Sequence, residues 1–347
     1  MTGDAPVESA LRAALEREGA SAFVHAGPAC DPAIRYCRPE LERESERNRR
    51  AVAFDGREWR VRSASGAETN PASELADGLA ADGLEGAVLT PSRIPHDAAL
   101  YLENAGFTLS STDAVERSRA TKTAGERERI ETAQAAAGAG IRRGASLVAS
   151  ADAVEGRLAI DGEPLTAERL RTTIDEGIVA AGGFPDGNTA VSVGGGPVRS
   201  GVPIVLETAP REPSGYYGGL ARTVVRDGDG GDERRAHVGV TRAFRSAASM
   251  LTADVQSVTA VEADLEAEVR AFGFEDEIRT HVVGVGLEPA ERPNRGRQEI
   301  GEGAVVRLDV GVEIEDGRIR LTELLAVGES VDWLESIPRS LDPAALE

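Results

Sequence analysis

The sequence predicts an α/β (α+β) fold in two domains, residues 1–115 and 118–347. Three observations carry this reading. Helical and strand patterns alternate through the first third of the chain. Near residue 120 a capping signal opens a long amphipathic helix, which marks a fresh start. Beyond it, paired helices are interleaved with short apolar strands, the pattern of helices laid on an antiparallel sheet.

In the first domain Val7, Leu11 and Leu15 recur every four residues and give one apolar helical face. Ala22 to His25 reads as a buried strand. Ala51 to Phe54 and Trp59 to Val61 form a hairpin around Asp55-Gly56, a strong turn dipeptide. Leu75 and Leu79 lie on a short helix before a strand at Gly86 to Leu89. Ala98 to Asn104 is a further helix and Phe107 to Leu109 a further strand. The charge run from Glu40 to Arg50 places Glu44 with Arg47, and Glu46 with Arg50, at helical pair spacing. That is the pattern of a solvated face.

The second domain opens with Thr123 and Glu126 at capping-box spacing, followed by Ile130, Ala133, Ala137 and Ile141 on one stripe. A second helix, Thr166 to Ala181, carries Leu170, Ile174 and Ile178 and ends at Gly182-Gly183. A third carries Ala243, Ala247 and Leu251. A fourth begins with the pair Thr259 and Glu262 and buries Val261, Leu265, Val269 and Phe272. Strands are expected at Thr189 to Val193, Pro203 to Thr208, Ala221 to Arg226, His281 to Gly286, Val305 to Val312 and Arg318 to Val327.

Charge narrows the function classes. The 347 residues carry a net charge of −20, and Lys122 is the only lysine. This fits a protein working in concentrated salt, where screening relieves self-repulsion. It argues against nucleic acid and anionic membrane as partners. Cys30 and Cys37 are too few for a four-ligand zinc site and are expected to be free thiols. Met1 to Glu8 has no basic start and no apolar core, so a cytoplasmic protein without signal peptide is expected. The glycine-rich run Gly194 to Gly201 lacks a phosphate-loop ending and reads as a turn. Asp227 to Glu233 lacks the glutamate that closes a calcium loop and reads as an acidic hairpin turn. His25, His96 and His237 stand isolated in sequence.

Four segments together resemble the pita-bread metallopeptidases, the superfamily of prolidase, Xaa-Pro aminopeptidase, methionine aminopeptidase and creatinase. Asp31 to Tyr36 is similar to the N-x-x-Y-L element of prolidase-type N-terminal domains, and Arg119 to Glu126 to the R-x-x-K-[ST]-x-x-E that opens their catalytic half. Gly215 to Val225 resembles G-Y-x-[SA]-D-[IL]-x-R-T-[FV]-V, keeping Tyr216, Arg222 and Thr223. Residues 281–328 resemble the last three ligand-bearing elements. The resemblance implies an N-terminal creatinase/prolidase-like domain and a C-terminal pita-bread domain with a dinuclear site of two Asp, one His and two Glu.

The positions matching those five ligands are Glu207, Gly219, Val283, Asp309 and Thr322. Glu207 and Asp309 keep a carboxylate of altered length, and the other three lose the ligand. Ala290 stands where the family has a substrate-binding His. Glu323 lies one residue past the last ligand position, so on a regular strand it points to the opposite face unless a β-bulge re-aims it. The expectation is a homologue of Xaa-Pro aminopeptidase and prolidase with no metal and no cofactor, acting as a binding protein. Its expected partners are a peptide or small-molecule ligand, and a second copy in a homodimer. The alternatives are a peptidase or amidohydrolase of altered or metal-independent mechanism, and a metallopeptidase whose ligands come through shifted strands. Glu207, His281 and Asp309 are the catalytic candidates. With no cation between them, Glu207 and Asp309 are expected to sit in an apolar cleft and select a cationic ligand.

Overall fold

The computed structural model describes residues 6–39, 48–64, 69–194, 196–275, 277–334 and 337–346. The chain divides into two compact units, Met1–Arg119 and Ala120–Glu347.

The first unit is a five-stranded mixed sheet flanked by helices. Its elements are α1 (Pro6–Glu18), β1 (Ala22–Pro28), α2 (Pro32–Cys37), β2 (Arg49–Phe54), β3 (Trp59–Ser63), α3 (Pro71–Ala81), β4 (Ala87–Thr90), α4 (His96–Asn104), β5 (Thr108–Ser111) and α5 (Ala114–Ala120). The strand order is β3-β2-β1-β4-β5. Asp31 caps α2 by accepting from the Ala33 and Ile34 amides. The same carboxylate lies 3.0 Å from His25 Nε2, which gives this histidine, isolated in sequence, a structural partner. Arg50 lies buried in β2, so helical pairing with Glu46 does not extend to it. The rest of that charge run, including Glu44 and Arg47, lies outside the described residues.

The second unit begins with α6 (Ala124–Ala149). Its N-terminus is held by the reciprocal box that the sequence signals. Glu126 N–H donates to Thr123 Oγ1, and Thr123 N–H to Glu126 Oε2. A small sheet of β6 (Asp152–Val154), β7 (Arg157–Ile160) and β8 (Glu163–Pro164) follows, then α7 (Ala167–Ala180). Gly182, at φ +82°, stops α7 because only a residue without a Cβ adopts that turn cheaply. The remaining elements are β9 (Thr189–Ser192), β10 (Ile204–Thr208), β11 (Leu220–Val224), α8 (Asp232–Ala253), β12 (Gln256–Ser257), α9 (Val258–Arg270), β13 (Ile278–Gly284), β14 (Glu299–Ile300), β15 (Val305–Ile314), β16 (Gly317–Val327) and β17 (Val331–Trp333).

Two local expectations change here. The cap of α9 is Ser257, which accepts from Ala260 N–H, and Glu262 instead accepts from Val282 N–H. Asp227 to Glu233 is the lead-in to α8, not a hairpin turn.

The main sheet is antiparallel, in the order β13-β15-β16-β11-β10-β9, with β17 pairing β16. Its strands alternate strictly. Val282, Leu308, Leu321 and Leu325 join α8 and α9 in one core, while Ile204, Leu206, Leu220 and Val224 join α6 and α7 in another. All four helices therefore cover one face. Every residue of opposite parity points to the other face, where the candidate site lies.

Candidate functional site

The register brings the five ligand-matching positions onto that other face. Glu207 lies opposite Ala221, Ala221 opposite Thr322, Thr322 opposite Asp309, and Asp309 opposite His281. One row along, Leu324 lies opposite Arg307 and Arg307 opposite Val283. Gly219 faces the same row, since a Cβ on it would lie 3.0 Å from Arg307 Cδ and 3.9 Å from Leu324 Cδ2. The pairing of β15 with β16 runs without a bulge from Val305↔Ala326 to Ile314↔Gly317. Glu323 accordingly points to the helix-covered face and is buried there. This removes the route by which a shifted strand would supply it as a ligand.

What joins the retained carboxylates is a guanidinium. Arg320 Nε donates to Asp309 Oδ1 at 2.8 Å and Nη2 to Asp309 Oδ2 at 2.5 Å. Nη2 also reaches Glu207 Oε1 at 2.8 Å, and Nη1 donates to Glu207 Oε2. A planar fork satisfies two carboxylates at once only in this double bidentate way. Hydrogen bonds to Asp309 hold the Arg320 pKa above the ordinary arginine range; burial opposes this, and the charges of Asp309 and Glu207 reinforce it. Arg320 is fastened in turn by Thr223, whose Oγ1 accepts from Arg320 N–H at 2.8 Å and donates to Arg320 C=O at 2.9 Å. The expectation of two carboxylates without a cation, in an apolar cleft, is thus overturned: the chain supplies its own cation.

A second guanidinium, Arg307, stands beside Gly219 with no ion pair or hydrogen bond among the described residues. Its Nε is buried, and desolvation lowers its pKa, while Asp309 and Glu207 pull it back up. Gly219 N–H donates to Gln134 Oε1 at 2.8 Å, which ties the start of β11 to α6.

A dinuclear metal centre does not fit these residues. Gly219 offers no donor, and Arg307 fills the space its side chain would need. Val283 is buried and apolar, and Thr322 keeps only a hydroxyl, buried without a partner. Among the described residues no three of His, Cys, Asp and Glu converge as a metal requires. Two carboxylates already neutralised by a guanidinium are poor ligands.

The third catalytic candidate is placed differently. His281 stands at the edge of the row, its side chain 55% exposed and its Nδ1 3.6 Å from Glu262 Oε1. Among the described residues no hydrogen bond links it to Glu207 or Asp309. Sequence reasoning missed Gln134 and gave no role to Arg307 and Arg320, although both stand in motif segments. The signal for the two arginines was period two: Arg307 sits two residues before Asp309, and Arg320 two before Thr322.

The retained motif residues do structural work. Arg222 is buried and donates to the carbonyls of Ala221, Thr322, Ile337 and Pro338 and to Glu323. Tyr216 is buried, and its hydroxyl donates to Glu126 at 3.3 Å. Lys122 pairs with Glu291 at 2.6 Å, both side chains almost fully buried.

Comparison with known proteins agrees with this fold. No curated protein matches the chain. Among solved structures, the prolidase from Pyrococcus horikoshii OT3 is similar with a TM-score of 0.76, at 14% identity over 97% of this chain and 100% of that one. The Xaa-Pro dipeptidase from Bacillus anthracis gives a TM-score of 0.78, at 14% identity over 96% and 98%. The N-terminal domain of FACT complex subunit SPT16 from chickpea, Cicer arietinum, gives 0.75, at 13% identity over 98% of each chain. At these identities the likeness is one of fold. The model of Metallopeptidase family M24 matches residues 127–329, most of the second unit and more than half of the chain. On that match, the chain belongs to metallopeptidase family M24.

Proposed function

We propose that this chain is a non-catalytic member of its family, a binding protein whose inherited cleft is held together by Arg320 in place of a dinuclear metal centre. The observation that carries the reading is the double bidentate pairing of Arg320 with Glu207 and Asp309. A base must be free to accept a proton and a ligand free to bind a metal, and both carboxylates are engaged. His281 lies beside Glu262 and is not linked to Glu207 or Asp309 among the described residues, which weighs against a metal-independent hydrolase built on those two carboxylates. Similar structures carry the names of peptidases and of a complex subunit, so fold alone favours neither role.

The test is metal uptake together with turnover. The purified chain, titrated calorimetrically with Mn, Co or Zn and assayed on an Xaa-Pro dipeptide, is expected to bind no metal stoichiometrically and to cleave nothing. Uptake of two ions per chain with dipeptide cleavage would overturn the reading.

Its working medium, by the same proposal, is the cytoplasm of a salt-adapted cell. The support is a net charge of −20 with a single lysine, itself buried, and two free thiols. No helix of the described residues is long and apolar enough to cross a membrane. The melting temperature is expected to climb steeply with KCl, because the Debye length shrinks from about 10 Å at 0.1 M to about 3 Å at 1 M. A flat profile would leave the acidic surface as mere composition.

A further inference from the structure

The sheet face that carries Arg320 ends in a small cleft of about 250 Å³ between β13, β15 and β16. Arg279, His281, Asp309, Arg318 and Arg320 line it around Gly311. Resting on the reading of this face as a metal-free binding site, we infer that the cleft takes a small carboxylate, held between the guanidiniums of Arg279 and Arg320. That is the opposite of the cationic ligand which two bare carboxylates would select.

Donor accounting comes first. The oxygens of Asp309 and Glu207 are spent on Arg320. A ligand ammonium would have to displace a cation that belongs to the same chain. Glu313 Oε1 is held by Arg318, at 2.5 Å from both Nε and Nη2. Glu262 Oε1 accepts from the Val282 amide, with His281 beside it. The donors are not exhausted. Arg320 keeps one N–H of Nη1, and Arg318 keeps those of Nη1. Arg279 has no hydrogen bond or ion pair among the described residues, so its whole fork is free. Arg279, Arg307, Arg318 and Arg320 match the carboxylates Glu207, Glu262, Asp309 and Glu313 in number, within a chain of net charge −20.

Geometry comes second. Arg279 lies opposite Gly311, and Gly311 opposite Arg320. The two guanidiniums therefore rise from strands two ladder spacings apart, roughly 10 Å, with nothing but a glycine between them. Neither backbone nor packing demands that glycine. Its φ is not positive, and an added Cβ would meet Arg320 Cγ at 3.6 Å, an ordinary contact. Its effect is to leave the floor open. A volume of 250 Å³ falls just below the range of drug-sized sites, about 300–1,000 Å³, and admits a molecule no larger than one or two residues.

The carboxylate has two sources, a peptide C-terminus and a free organic acid, and calorimetry on the full chain at fixed moderate KCl separates them. The probes are N-acetylalanine, N-acetylalaninamide and propionate. N-acetylalanine is expected to bind and the amide not. Arg279→Gln, a change at an exposed side chain, should weaken the acid at least tenfold, with Arg279→Lys intermediate. Propionate binding as tightly as N-acetylalanine assigns the site to free acids; propionate binding much more weakly assigns it to peptide termini. Equal binding of acid and amide, absence of binding by any probe, or an Arg279→Gln variant that binds as well as the parent would overturn the inference. A manganese titration of the same sample keeps the two readings apart. Metal uptake sinks the metal-free reading, while a failed acid titration without metal uptake sinks only the carboxylate.

Discussion

Two arginine–carboxylate clusters sit on opposite faces of β16, built from almost adjacent residues. On the helix-covered face one carboxylate, Glu323, lies between two guanidiniums, Arg222 and Arg339, and its side chain is 3% exposed. On the other face one guanidinium, Arg320, lies between two carboxylates and is 22% exposed. The pairing chemistry is the same and the surroundings differ. Arg222 is fully enclosed, and burial lowers its pKa against the pull of Glu323. Arg320 keeps contact with water, and its partners win over burial. A closed cluster behaves as a pillar, costly to break because no water replaces the missing partner. An open one behaves as a plug, holding charges together at moderate cost and leaving part of its donor set to a ligand.

The largest effect expected from this contrast comes from Glu323→Gln. It leaves two guanidiniums facing each other under the helices and should cost about 3–5 kcal/mol of stability, read by urea unfolding. A loss below that of a surface pair would erase the distinction between the faces.

Next comes pH. His237 is pushed down to about 4 by burial and by the charges of Arg222 and Arg339, from an ordinary value of 6.5. Its folded pKa is depressed, so the unfolded chain binds the proton more readily. Stability is whole above pH 6.5 and is lost as pH falls toward 4, by about 2–3 kcal/mol. Unfolding measured across that window should slope for the parent chain and slope less for His237→Gln; parallel curves would remove His237 from the cluster.

Arg320→Met should cost about 2 kcal/mol, between the figures for buried and exposed pairs. It should matter less as KCl rises, because screening eases the repulsion between Glu207 and Asp309. A cost equal to that of Glu323→Gln would mean the two faces are equally closed. The smallest change is expected from Gly219→Asp. The new Cβ would lie 3.0 Å from Arg307 Cδ, so Arg307 has to shift before its guanidinium pairs with the added carboxylate, and the two effects offset to within about 1 kcal/mol. Manganese calorimetry on this variant should stay flat, since Val283 and Thr322 still supply no ligand.

Much of the architecture was legible before any coordinates. The resemblance grouped Glu207, Thr322 and Asp309, and period-two alternation set Glu323 on the face opposite Thr322; the register of β10, β11, β16 and β15 agrees with both. The Thr123–Glu126 box predicted the start of α6 correctly. The similar box at Thr259 and Glu262 did not form, because Ser257 took the cap and Glu262 was drawn to the Val282 amide. Local signals of equal strength are separated by which tertiary donor lies near. The same applies to His25, isolated in sequence and paired in space with Asp31.

The sequence by itself determined the α/β class, the sheet parity and the absence of a carboxylate or imidazole at Gly219, Val283 and Thr322, since each follows from side-chain identity and a fixed backbone period. Only the tertiary structure decided what stands between Glu207 and Asp309. Arg320 is legible along the chain as the leading arginine of the last motif strand, and nothing in that motif gives it partners. Its guanidinium becomes the bridge between Glu207 and Asp309 because three strands distant in sequence set their partners at hydrogen-bonding distance across the sheet. Periodicity fixes the face on which a side chain emerges, and the register of non-adjacent strands fixes which charges meet there.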